Sequence, residues 1–217
     1  MGVDQRVDRV KQLEEKHIDI ICNIYPGLST LWGVENDNFT DITKRGSEYA
    51  VKSLTNILNE CYELDDIDYL KNNIEMRIFE FTTLRNKLLT AYYFYDMTID
   101  TLLILWDDFV IYKYGLKLSV LENRLRNIIP AIDTVIKEMK QRKFSYLDLA
   151  CTEVAIKKSL ILLDKKKKEY EHFSGLFGKV ELKVKDFMEF ISRLKKIQQM
   201  LIYYLLMVQK LCCNIFR

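Results

Sequence analysis

The sequence predicts an all-α protein, a single elongated bundle of about six to eight helices. Three observations carry that expectation. The 217 residues include only two prolines and seven glycines, too few for the many tight turns of a sandwich or barrel. Apolar residues recur in steps of three and four, the spacing of one helical face, over most of the chain. No linker rich in Pro, Gly or Ser divides the sequence and no internal repeat stands out, so residues 1–217 read as one helical domain. With 49% apolar and 29% charged residues, the composition is that of a globular chain.

In order, the first helix is expected over Val3–Tyr25, with Val3, Val7, Val10, Leu13, Ile21 and Ile24 near one face. Tyr25-Pro26-Gly27 ends it, since proline lacks a donor and glycine tolerates positive φ. A loop with Gly33, Asn36, Asp37 and Asn38 leads to a second helix, capped by Thr40, Asp41 or Thr43 and running to about Tyr62, with Tyr49, Leu54, Ile57, Leu58 and Cys61 among its inward residues. Leu64–Leu89 is the cleanest amphipathic stretch, with Ile67, Leu70, Ile74, Ile78, Phe81, Leu84 and Leu88 on one face. Asp65 and Asp66 stand at its N-cap. After the aromatic junction Tyr92–Tyr95, a helix over Met97–Tyr114 sets Ile99, Leu102, Leu103, Trp106, Phe109 and Val110 on one broad face, and Gly115 ends it. Ser119 and Glu122 form a candidate capping box for the next helix, which Pro130 should kink or divide before about Lys143. Ser145–Ser174 is a long helix ended by Gly175 and Gly178, and the last helix covers about Val180–Phe216.

Charge and cysteine usage narrow the function classes. A net charge of +2, with acidic and basic residues interleaved, gives no broad attraction to nucleic acid, so no nucleic-acid partner is expected. The lysine run Lys165–Lys168 is short and lacks aromatic stacking partners. Five cysteines without a C-x-x-C pair argue for reduced thiols rather than a disulfide framework or zinc knuckle. The charged N-terminus MGVDQRVDRVKQLEEKH has no apolar h-region, so the expected location is cytoplasmic. Near the other end, Met200–Val208 is continuously apolar but too short to span a bilayer. A helix apolar on all sides must be buried, which points to the central helix of the core, a dimer interface or a surface meant for a missing segment, and so to a protein partner or self-association rather than to a membrane.

Two patterns are candidate chemistry. Each of the two histidines follows a glutamate by three residues, Glu14…His17 and Glu169…His172. Glu-x-x-His places both side chains on one helical face, and two such helices with two more glutamates (Glu48, Glu75 or Glu80 are available) build a di-iron carboxylate site. Glu14 and His17 fall within the apolar arc of the first helix. Against this, Glu169 and His172 follow a solvated lysine run. Arg77 and Arg85 lie on or beside the apolar arc of the Leu64–Leu89 helix, and a buried arginine needs a carboxylate or several carbonyls. An internal ion pair is the expected role, substrate binding the alternative. The acids Asp96, Asp100, Asp107 and Asp108 read as a solvated face rather than a cation site. No phosphate loop, G-x-S-x-G or H-E-x-x-H is present, so neither catalytic residues nor a cofactor are assigned.

Several landmarks together resemble a bacterial family. Ile24–Thr43 (IYPGLSTLWGVENDNFTDIT), Leu64–Arg85, Leu121–Met139 (LENRLRNIIPAIDTVIKEM) and Cys151–Leu163 (CTEVAIKKSLILL) stand in the order of the N-terminal helical region of the domain of unknown function numbered eight-eight-five. Full-length members of that family look like zinc-dependent peptidases. The resemblance covers roughly Val10 to Gly178. The family's downstream His-Glu…Gly-His cluster has no counterpart here, so no residue inherits a catalytic role. The resemblance implies a non-catalytic helical scaffold or binding module. The alternative is a carboxylate-bridged metal enzyme or one half of a split hydrolase.

Overall fold

The computed structural model describes the backbone of residues 3–83 and 90–215 and the side chains of residues 5–83 and 90–210. Among these residues every regular element is a helix. Six helices of sixteen residues or more carry the fold: α1 (Val3–Ile24), α3 (Lys44–Cys61), α4 (Asp68–Thr83), α8 (Leu118–Met139), α9 (Tyr146–Glu169) and α10 (Ser174–Ile215). Four short helices connect them: α2 (Pro26–Leu31), α5 (Ala91–Tyr95), α6 (Thr101–Leu105) and α7 (Asp108–Tyr114). No described helix is long and apolar enough to cross a membrane.

The chain forms two compact units, Met1–Leu89 with Ile104–Asn127, and Thr90–Leu103 with Ile128–Arg217. In the first unit α3 packs against both α1 and α4. Its buried residues Ala50, Leu54, Ile57, Leu58 and Cys61 lie on the face that the spacing predicts, and they meet Leu13 and Ile21 of α1 and Leu70, Ile74 and Phe81 of α4 within one core. Thr43 caps α3, its hydroxyl accepting from the Gly46 amide at 3.0 Å. Gly46 is required there, because a Cβ would sit 2.5 Å from the Asp41 carbonyl oxygen. Tyr49, expected to point inward, is exposed. In the second unit α9 packs lengthwise on α10 and also meets α5. The carboxylate of Asp148 accepts from the amides of Ala91, at 2.6 Å, and Tyr92 at the start of α5.

Several boundaries differ from the sequence expectation. Pro26 opens a short helix instead of only closing one, which suits its fixed φ and missing donor at a first helical position. The third long helix starts at Asp68, and Asp66 before it takes a left-handed φ of 57°. The expected Leu84 and Leu88 of its face, and Arg85, lie outside the described residues. The helix expected over 97–114 is interrupted twice. Residues Asp96–Asp100 form a π-helical turn, and Asp107 stops α6 and caps α7 by accepting from the amides of Phe109 and Val110. The apolar face therefore does not continue: Trp106 is buried, whereas Phe109 is exposed. Gly115, at φ 60°, ends α7 as expected. Helix α8 begins at Leu118, so Ser119 lies within its first turn and is not its N-cap, and Pro130 sits inside it without dividing it. Gly175 and Gly178 also lie inside a helix. The break after α9 comes earlier, at Tyr170 (φ −114°, ψ 67°) and the 3-10 turn Glu171–Phe173.

Candidate functional site

Helices α9 and α10 form an antiparallel hairpin whose geometry can be read from its side chains. Leu149, Thr152, Ile156, Ser159 and Leu163 are buried on α9, and Phe177, Val180, Val184, Phe187 and Ile191 on α10. Both sets step alternately by three and four residues, the seam of two long helices packed side by side. Flanking ion pairs fix the register. Glu153 binds Lys195, and Lys167 binds Glu181 at 3.2 Å. Fourteen residues forward along α9 thus correspond to fourteen backward along α10. The bonds from Lys195 and Lys157 hold the Glu153 carboxyl below its usual range, and that from Glu153 raises Lys195.

That register determines what α10 has beside it. Tyr146, the first residue of α9, lies seven residues before Glu153, so it stands opposite Ile202, seven beyond Lys195. Beyond that point α9 offers no further turn to pack on. The apolar stretch begins two residues before it, at Met200. Met200 to Val208 are all exposed, from 38% at Val208 to 72% at Met200. Of the alternatives open for this apolar stretch, a place in the core of this chain is the one that the structure removes: the tail of α10 runs past its hairpin partner.

The sequence-predicted polar residues are placed as follows. Arg77 donates to Glu80 at 2.7 Å and lies over the ring of Tyr25, whose hydroxyl donates to the other oxygen of Glu80 at 2.5 Å. Arg77 is therefore in the internal ion pair expected of it. His17 lies near this group; burial first, and the charge of Arg77 second, lower its pKa below 6.5. Its buried Nε2 has no hydrogen-bond partner among the described residues. Glu14 instead accepts from the hydroxyl of Tyr69, at the edge of an open groove of about 690 Å³ beside Val10 and Ile67. That bond raises the Tyr69 phenol to about 12. Glu169 is paired with Lys166 at 2.9 Å and Lys165 at 3.4 Å, and His172 lies exposed against Phe173. Glu14 and His17 belong to the first unit, Glu169 and His172 to the second. No three His, Cys, Asp or Glu side chains among the described residues are grouped to hold a metal ion. Asp100 accepts from Tyr95 and Asp107 is a helix cap, so these two acids have structural partners.

Arg124 is a buried polar residue that the sequence reading did not single out. It is fully buried, donating from Nε to the Asn36 carbonyl at 3.0 Å and from Nη2 to the Pro26 carbonyl at 2.9 Å and the Thr30 hydroxyl at 2.8 Å, beneath the ring of Phe39. Burial lowers it to about 10. With Asn127 and Asn123, which donate to the Asp37 carbonyl and carboxylate, it fastens the segment between α2 and α3 to α8. Its signal was available: Arg124 interrupts the stripe Leu121, Leu125, Ile128, all buried.

Comparison of the chain with family models, with curated proteins and with solved structures finds no match.

Proposed function

We propose that this chain is a non-catalytic, cytoplasmic helical binding module that acts through the projecting end of α10, in keeping with the scaffold role implied by its resemblance to the N-terminal part of a peptidase-like family. One observation carries the reading: nine consecutive apolar side chains, Met200–Val208, exposed on every side of a helix where it runs past the end of its hairpin partner. Contiguous apolar surface of this kind on a folded protein marks an interaction site. The placement of the ionisable residues supports the non-catalytic half of the reading, because Arg77, Glu80, Glu153, Glu169 and Lys195 are all engaged with one another or with neighbouring charges.

The test replaces Leu201 and Leu205 together by Glu. The unmodified protein is expected to take up an apolar fluorescent dye or to sediment above its monomer mass. The double variant should lose both properties while keeping its helix content and unfolding midpoint. Equal dye uptake and equal mass in the two proteins would refute the reading. So would bound iron or manganese that is lost on His17→Ala.

A further inference from the structure

We propose that the occupant of the α10 tail is the same tail of a second copy, lying antiparallel across a two-fold axis at Tyr204. This rests on the reading of the tail as the interaction surface. In an isologous antiparallel contact, each residue before the axis meets the residue equally far behind it on the partner. The tail has the symmetry that such a contact requires. About Tyr204, Leu201 is matched with Met207, and Met200 with Val208. With Ile197 these residues follow one another by three, one, three, three and one positions, a single helical face. All six are apolar and all are exposed, between 38% and 72%. Gln199 and Gln209 bracket the apolar run at equal distances from the axis.

Area and charge agree with this occupant. Complete burial of the six side chains would remove on the order of 700 Å² from each copy, within the range around the roughly 800 Å² that each partner contributes to a standard stable interface. From Phe190 to Lys210 the chain has four cations (Arg193, Lys195, Lys196 and Lys210) and no acid. Parallel pairing of two tails would set Lys196 against Lys196 and Lys210 against Lys210. The antiparallel arrangement sets Lys196 opposite position 212, a cysteine in the sequence, and Lys210 opposite Gln198. Like charges are then kept apart at both ends.

The experiment is sedimentation of the full chain over a range of micromolar concentrations, with substitutions chosen by face. The unmodified protein should reach twice its monomer mass. Tyr204→Glu buries two facing carboxylates at the axis and should weaken the pairing by about a hundredfold or more. Leu206→Glu, on the opposite side of the helix, should leave it paired. Met200→Glu and Val208→Lys should each weaken it alone. Mixing the two should restore a heterodimer in which the carboxylate introduced at position 200 of one copy meets the ammonium introduced at position 208 of the other, a rescue that parallel tails cannot give. A monomeric unmodified protein overturns the proposal, as does Leu206→Glu dissociating it like Tyr204→Glu, or a mixture no tighter than its parts. A monomer whose tail still takes up apolar dye, lost on Tyr204→Glu, would sink the two-fold pairing and leave the interaction surface standing. A monomer with no dye uptake at all would sink both.

Discussion

An alanine series down α10 tests the central structural point, that one continuous helix is core over one half of its length and unsupported over the other. Phe187 and Ile191 are fully buried in the hairpin seam, whereas Leu201 and Leu205 are 52% and 65% exposed. Removing a buried Phe or Ile leaves a cavity as well as losing transfer energy, about 3–5 kcal/mol for Phe187→Ala and about 2–5 kcal/mol for Ile191→Ala. A fully buried leucine gains about 1.5–3 kcal/mol from leaving water. Leu205 retains about a third of that burial, so Leu205→Ala should cost no more than about 1 kcal/mol in the isolated chain. Urea unfolding followed by circular dichroism, at concentrations low enough to separate any assembly, reads these values. At high concentration Leu201→Ala should become more costly, since association adds to apparent stability. A loss at Leu205 equal to that at Ile191, at low concentration, would show that the tail packs within its own chain and would refute the register argument.

Four other sites, His17, Arg124, Gly46 and Gly175, carry expectations of their own. His17 binds protons less readily in the fold than in the unfolded chain, whose value is near 6.5, because of burial and Arg77. Its contribution to stability is therefore complete above about pH 6.5 and is lost as pH falls toward and through the lowered folded value. His17→Gln should flatten the decline in unfolding free energy between about pH 7 and about pH 5, and an unchanged slope would contradict this placement. Arg124→Ala removes the tie to the Asn36 carbonyl and leaves a void, for a loss of about 3 kcal/mol or more. Arg124→Met fills the space, removes a buried charge and should cost about 2 kcal/mol less than the alanine variant, as denaturant titration will show. Gly46→Ala should destabilise despite better helix propensity, because its Cβ would meet Asp41 at 2.5 Å. Gly175→Ala, which meets nothing within 4 Å, should raise the stability by roughly 0.5 kcal/mol.

The sequence carried the helical periods well and their punctuation poorly, and the difference is physical. The inward face of α3 at Leu54, Ile57, Leu58 and Cys61 was legible because burial against α1 and α4 selects a period that local chemistry does not obscure. Pro26 follows the close of α1 at Ile24 but also opens α2, and Pro130, Gly175 and Gly178 do not act as the helix dividers or stops that their residue types suggest, because proline and glycine act by position. A proline at a first helical position is compatible with the helix, and a glycine within one costs only about 1 kcal/mol, which packing offsets. Asp65 and Asp66 are not the N-cap expected of them, since Asp66 takes a left-handed φ of 57° and the helix starts two residues later. Arg124 escapes a sequence reading because its partners, the carbonyls of Pro26 and Asn36, lie 98 and 88 residues away in the chain. An arginine flanked by Glu122 and Arg126 looks like a surface residue until its place in the Leu121–Leu125–Ile128 stripe is noticed.

The tail is the case in which sequence and structure each hold half of the answer. The sequence shows that Met200–Val208 is apolar on all sides, which requires cover, but it cannot show where cover stops. Two ion pairs supply that point. Once Glu153 is opposite Lys195, α9 ends opposite Ile202, and a helix of 42 residues necessarily outruns a partner of 24. A chain that needed only a stable hairpin could end α10 near that residue or turn polar beyond it. This chain instead places its most continuous apolar run in the overhang and flanks it with cations and amides. Surface of that composition is costly to leave in water, about 25 cal/mol for each Å². A partner that covers the overhang would remove that cost, which is the physical basis of the proposed binding role.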